Sequence, residues 1–302
     1  TRRQGDKEPK PSLDQPRSFL FDADVTKSPG SMLSALLAAL LTTAAPLRAD
    51  DSPKEFHIAE RSDAKGVVLS VESACNTEFT LTVKCELRNA TSTQKFPLTV
   101  DAAGRQSFDL VRIDQKTPGQ PWSYKYTYHW IPGARRAVQT NDAIYLLPFR
   151  AGEAHKVLQG NFGKFSHYQG SQCEYAVDFE APVGTTVCAA RAGVVTGLRQ
   201  DFTVGGVDPA LKSAANYLIV KHADGTFAEY LHLDTNGALV RLGEKVAEGQ
   251  PIAHSGNTGY TQGPHLHFIV FQAIDGNTRL SLPTKYRTKF GIAGKLMEGG
   301  TY

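Results

Sequence analysis

The 302 residues offer little that could cross a bilayer: the apolar run MLSALLAALL from Met32 to Leu41 stops after about ten residues, where a spanning helix needs about twenty. Cysteine is scarce, at four residues, and no CxxC pair occurs. That excludes a structural zinc site built from cysteines alone. The 33 basic residues exceed the 30 acidic ones only slightly, for a net charge of +3. They are scattered along the chain, so no stripe suited to a nucleic-acid backbone exists and nucleic acid is excluded as a partner. Helical periodicity is almost missing from the second sixth of the chain onward, and no internal repeat is found. What remains is an ordinary globular composition, 41% hydrophobic and 21% charged, in a chain long enough for two domains.

The run from Met32 to Leu41, followed by the small residues Ala44, Ala45 and Ala49, has the pattern of an export signal over 32–49. Ahead of it, 1–31 is polar and without periodicity and is expected to be a disordered or mis-started leader. Export would place the protein in the periplasm or cell envelope, with no stable membrane span once the signal is removed. It would also put the cysteines where thiols oxidise, so two local disulfides are expected, Cys75 with Cys85 and Cys173 with Cys188.

From 55 to 145 the pattern is one of strands and turns. Phe79, Leu81, Val83, Cys85 and Leu87 alternate with Thr80, Thr82, Lys84 and Glu86, which buries one face of a strand. Trp122, Tyr124, Tyr126, Tyr128 and Trp130 form a second stripe, more often a sandwich core than a sugar-binding platform. A β-sandwich is expected here. A second strand-rich unit is expected over 155–280, with the turn Asp224-Gly225 between two of its runs. The remainder, 281–302, reads as a C-terminal tail. The fold class is therefore mainly β, a sandwich-like domain followed by an antiparallel sheet.

The chemistry gathers in the second unit. In an extended strand His265 and His267 project to one face while Leu266 and Phe268 go to the other, and two imidazoles on one face can share a metal. Ala228, Tyr230 and His232 are expected to lie together on one face of a neighbouring strand. Asp178, flanked by Ala176, Val177 and Phe179, is a carboxylate in apolar surroundings that needs a partner, and a metal is one. A His-x-His pair with a carboxylate also suits an iron site of the cupin kind, but such sites want a carboxylate shortly downstream, and Phe268 to Gln272 offers none.

In order along the chain come Asp178, Pro182-Val183-Gly184-Thr185-Thr186-Val187, Ala189-Ala190-Arg191-Ala192-Gly193-Val194-Val195, Tyr230-Leu231-His232-Leu233, and GNTGYTQGPHLHF from Gly256 to Phe268. This succession resembles the LytM or lysostaphin-type metallopeptidases of the M23 family over roughly a hundred residues. The resemblance implies a LytM-type antiparallel β-sheet domain, a Zn2+ cofactor bound by Asp178 and His267, His265 and His232 as catalytic residues, and peptidoglycan peptide stems as substrate. It makes His265 the base that takes a proton from water, and His232 the group that steadies the oxyanion and helps protonate the leaving amine. These two roles can be exchanged, because sequence fixes neither distances nor tautomers. The family's first ligand, a histidine four residues before the aspartate, is replaced by Glu174. Either Glu174 or His167 must then complete the site, and ligand chemistry favours His167. The function implied is hydrolysis of peptide cross-links in the bacterial wall; a non-catalytic wall-binding or hydrolase-activating protein of the same fold is the alternative. Asn216 either contacts substrate or holds a turn, and the turn is preferred.

Overall fold

A computed structural model describes residues 23–27 and 56–302 apart from 141, with side chains from residue 56 onward. The export signal expected over 32–49 lies outside the described residues. Contact clustering divides the chain into two compact units, one including Gln139–Phe271 and Leu280–Tyr302, the other including 23–27, 56–138 and Gln272–Arg279.

The second of these is the sandwich. One sheet has the order β1 (Ala23–Lys27), β8 (Ser123–Pro132), β4 (Phe79–Arg88), β6 (Leu98–Ala102); the other is β2 (Phe56–Ser62), β3 (Gly66–Ser73), β7 (Ser107–Gln115), β5 (Ala90–Ser92). The leader expected over 1–31 thus contributes a strand, β1, which pairs antiparallel with β8. Alternation does what the sequence predicts: Phe79, Leu81 and Val83 are fully buried and face Phe56, Leu69, Val71 and Ile113 in one core. The aromatic stripe belongs to that core, with Trp130 stacked 5.7 Å from Phe56. The hydroxyls of Tyr124 and Tyr126 both donate to the Glu60 carboxylate, at 2.7 and 3.0 Å. Polar tips satisfied at the rim and buried rings leave little of the stripe for a sugar.

The other unit is built on an eight-stranded sheet. Its order is β10 (Val157–Gln159), β11 (Val177–Glu180), β21 (His265–Ala273), β16 (Phe227–Leu231), β15 (Tyr217–Lys221), β13 (Gly193–Arg199), β18 (Lys245–Val246), with β22 (Arg279–Ser281) also paired to β21. Every pairing along the main path is antiparallel. Val177, Phe179, Leu218, Val220, Ala228, Tyr230, Leu266, Phe268 and Val270 send their side chains to one face, where they form the core. Smaller sheets complete the unit: β12 (Thr186–Cys188), β19 (Pro251–Ser255) and β17 (Leu233–Ala238); the short parallel pair β14 (Gly205–Gly206) and β20 (Gly259–Tyr260); and β9 (Ile144–Leu146), β23 (Lys285–Thr288) and β24 (Gly291–Ala293). Residues 281–302 are therefore packed into this unit rather than trailing from it, with Tyr286 and Leu296 buried among its core residues.

No disulfide forms among the four cysteines, which corrects the expected pairings. Cys173 packs with Ala176 and Ile269, apart from Cys188 on β12, while Cys75 and Cys85 both lie at the sandwich core as thiols. Among the described residues no helix is long and apolar enough to cross a membrane.

Candidate metal centre

The register of three strands assembles the centre. Asp178 on β11 lies opposite His267 on β21, and Leu231 at the end of β16 lies opposite His267 from the other side. Because Leu266 and Phe268 are drawn into the core, His265 and His267 are forced to the other face, beside Asp178. His267 Nδ1 sits 2.8 Å from Asp178 Oδ1. His167 arrives from the loop between β10 and β11, with Nε2 3.3 Å from His267 Nδ1 and 3.4 Å from Asp178 Oδ1. The donor atoms of His167, Asp178 and His267 all fall within 4.8 Å of one another and all three residues are buried.

Glu174 does not join them. Its carboxylate accepts the backbone N–H of Gly170 at 2.7 Å, closing the loop that carries His167, and it precedes β11 instead of sharing a strand face with Asp178.

The surroundings hold these three side chains in place. Gln159 uses both ends of its amide: Nε2 donates to Asp178 Oδ2 at 2.9 Å and to Ser166 Oγ at 3.0 Å, while Oε1 accepts from the N–H groups of Phe165 and Ser166. One side chain thereby ties the carboxylate to the loop bearing His167. Gly163 permits this, since a Cβ there would meet the Gln159 side chain at 2.3 Å. Sequence reasoning missed Gln159. Its place two residues into a short strand, far from any motif, gave no signal. Cys173 was missed as well, and it is in hydrogen-bond contact with His267.

His232 reaches the centre by a different route from the one expected. Strand alternation would put it with Tyr230, whose side chain points into the core. Instead β16 ends at Leu231 and His232 adopts a left-handed conformation with φ +63°, which swings its ring over to His265 at a centroid distance of 4.5 Å. Its Nδ1 donates to the Thr258 carbonyl at 2.7 Å. His265 Nδ1 likewise donates to the Gly263 carbonyl at 2.8 Å and lies 3.2 Å from Thr261 Oγ1, leaving Nε2 3.9 Å from Asp178 Oδ1. A carbonyl oxygen can only accept, so both rings carry their neutral-state proton on Nδ1 and present a bare Nε2.

Charge is distributed unevenly over these groups. Burial disfavours ionised Asp178, but the neighbouring His167 and His267 outweigh it and hold the carboxyl well below its usual range. Burial likewise opposes a charged His267, yet the hydrogen bond it donates to the Asp178 carboxylate raises it to about 10. His232 is the opposite case: burial first, then the neighbouring His265, push it down to about 3.

Asn216 is a structural residue. Fully buried, it accepts from Phe202 N at 3.0 Å and donates to Phe202 O at 2.9 Å, and its own N–H goes to Thr258 Oγ1.

The all-β unit thus buries two imidazoles and a carboxylate around one point, beside two further imidazoles, an arrangement that could hold a metal ion. Residues 172–278 match the family model described as Peptidase family M23; His167 lies ahead of the matched region. Among curated relatives, the peptidoglycan DD-endopeptidase ShyA of Vibrio cholerae is 40% identical over 91 residues, 30% of this chain and 18% of that protein. ShyC of the same organism, also a peptidoglycan DD-endopeptidase, is 38% identical over 103 residues, 34% of this chain and 21% of that one. The chain spans about a fifth of the length of these relatives. Among solved structures, the catalytic domain of lysostaphin from Staphylococcus simulans aligns with 24% identity and a TM-score of 0.29, covering 43% of this chain and 87% of that one.

Proposed function

We propose that this protein is an exported zinc endopeptidase of the periplasm or cell envelope that hydrolyses peptide cross-links of bacterial peptidoglycan. The observation that carries this reading is the buried convergence of His167, Asp178 and His267 next to the His232–His265 pair. The names of the relatives, peptidoglycan DD-endopeptidases, supply the substrate class.

The donor set fits zinc: two imidazoles and one carboxylate are a familiar three-ligand combination that keeps a further position open. His167, Asp178 and His267 would hold the ion, which when bound lowers the pKa of water towards about 7 and polarises the peptide carbonyl. His265, with its bare Nε2 on the metal side of the ring, takes the proton from the attacking water. His232 cannot donate to a developing oxyanion while neutral, because its only proton is committed to the Thr258 carbonyl. We therefore assign the later step to His265: the proton it takes from water is returned to the amine nitrogen as the C–N bond breaks, with the neutral His232 ring packed beside it as a positioning group.

Zymography on purified peptidoglycan, with and without a chelator, tests the activity. Clearing that the chelator abolishes and added zinc restores is expected, and mass spectrometry of the fragments should show cut peptide stems; absence of clearing on several wall types overturns the reading. Metal analysis of two variants tests the ligand set. His167→Ala is expected to lose stoichiometric zinc, and Glu174→Ala to retain it.

A further inference from the structure

Between Asp275 and Glu298 the chain carries five cationic residues and no acidic one. Three of them, Lys285, Arg287 and Lys289, are exposed on the hairpin formed by β23 and β24. At its tip Phe290 is 75% exposed, with the Lys289 ammonium 5.1 Å from its ring, and Ile292 beyond it is 53% exposed. Alternation accounts for the arrangement: Tyr286 points inward and is buried, so Lys285 and Arg287 on either side of it must point outward. Arg287 is paired with Ile292 across the hairpin. The result is a face that mixes cations with exposed apolar side chains and ends in an aromatic ring.

The position of this face within the unit matters. Tyr286 packs at 6.3 Å against Phe268, and Phe268 projects to the side of β21 opposite His267. The hairpin therefore covers the back of the central sheet, away from the metal ligands. We propose that the β23–β24 hairpin is a docking surface for an anionic lipid bilayer, which it touches with Phe290 and Ile292 while Lys285, Arg287 and Lys289 meet the headgroups. Cations with snorkelling stems around an apolar tip are the composition that favours the bilayer interface. A soluble polyanion would be matched by the cations alone and would leave Phe290 and Ile292 without a role. Docked in this way, the unit turns its metal-ligand face away from the lipid. The binding does not depend on the peptidase reading and can be measured without it.

The full chain is sedimented with vesicles of equimolar phosphatidylglycerol and phosphatidylcholine, with vesicles of phosphatidylcholine alone, and with polyphosphate as a lipid-free polyanion. An environment-sensitive dye on Phe290→Cys reports the hairpin directly, with the same dye on Val207→Cys as the exposed control. Expected are preference for the anionic vesicles, a blue shift of the dye at 290 and not at 207, and a loss of about tenfold or more in vesicle binding for Arg287→Glu with Lys289→Glu, since each cation near such a surface contributes about fivefold. Phe290→Ser with Ile292→Ser should likewise weaken vesicle binding, and the parent chain should not bind polyphosphate. An unshifted dye at 290, equal binding to both kinds of vesicle, binding of polyphosphate without vesicles, or undiminished vesicle binding by the charge-reversed variant would each overturn the proposal. All the substituted residues are exposed, and the dye measurement stands even where a double variant folds poorly.

Discussion

His232 leaves β16 with φ +63°, a conformation that costs a non-glycine residue on the order of 1 kcal/mol, and this turn places the ring beside His265 instead of in the core. Strand periodicity could not reveal it, because alternation holds only while the strand continues. His265, His267 and Asp178 were legible for the converse reason: each lies within a strand whose neighbours are apolar, so its face follows from theirs. Gln159 was illegible because its importance is entirely long-range, a bond to Asp178 at 2.9 Å and two backbone N–H groups from the His167 loop. Side chains that orient metal ligands commonly contribute a factor of about 10 to 100 in affinity. Gln159→Ala is therefore expected to weaken zinc binding by about that much while His167, Asp178 and His267 are all still present, which competition with a chromogenic chelator would measure. Unchanged affinity would mean that the loop and carboxylate are positioned without it.

At the scale of elements, the short parallel pair of β14 and β20 places the carbonyls and hydroxyls that receive the two catalytic-face imidazoles. Thr258 accepts from His232, and Thr261 and Gly263 lie against His265, so the segment between β19 and β21 sets both tautomers. The glycines in the GNTGYTQG run have a physical meaning that spacing alone did not supply. Gly259 has φ +84°, and a Cβ on it would stand 2.3 Å from that of Ala215. Gly259→Ala is expected to cost roughly 1–3 kcal/mol in stability and to lower kcat by about tenfold or more through displacement of the imidazoles, with zinc content unchanged; steady-state kinetics and metal analysis separate the two effects. On the other face of the sheet, His222 at the end of β15 donates to the Ala192 carbonyl at 2.9 Å and is lowered by burial from 6.5 to about 4. As pH falls, the unfolded chain takes up this proton first. The contribution of His222 is intact above about pH 6.5 and is progressively lost towards pH 4, amounting to about 3 kcal/mol. His222→Gln should flatten the decline of Tm over that interval relative to the parent, and parallel curves would show that the imidazole titrates normally.

For the molecule as a whole, the two hydrophobic clusters are distinct: the residues around Phe268 and Tyr230 belong to the unit with the metal centre, and those around Phe79 and Trp130 to the sandwich. The two units part between Val138 and Gln139, and Gln272–Arg279 returns to the sandwich; neither this return nor the incorporation of 281–302 could be read from the sequence. The alternately buried positions of 281–302 are Leu282, Thr284 and Tyr286, too short and too polar a run for a clear hydrophobic signal, and β23 is fixed by parallel pairing with β9, more than a hundred residues earlier. On the proposed function, metal binds only the folded unit and so stabilises it by mass action, by about 4 kcal/mol when free zinc exceeds its Kd a thousandfold. A divalent cation restrains all three buried groups at once, whereas the contact of His267 with Asp178 at 2.8 Å restrains only two. Differential scanning calorimetry of the zinc-loaded and chelator-treated protein should therefore show one transition that moves to lower temperature when zinc is removed and one that stays. Asp178→Asn should place the first transition near its chelated position with zinc present. A shift of both transitions together would show that the sandwich draws its stability from the metal centre as well, and two separate cores would then not act as separate folding units.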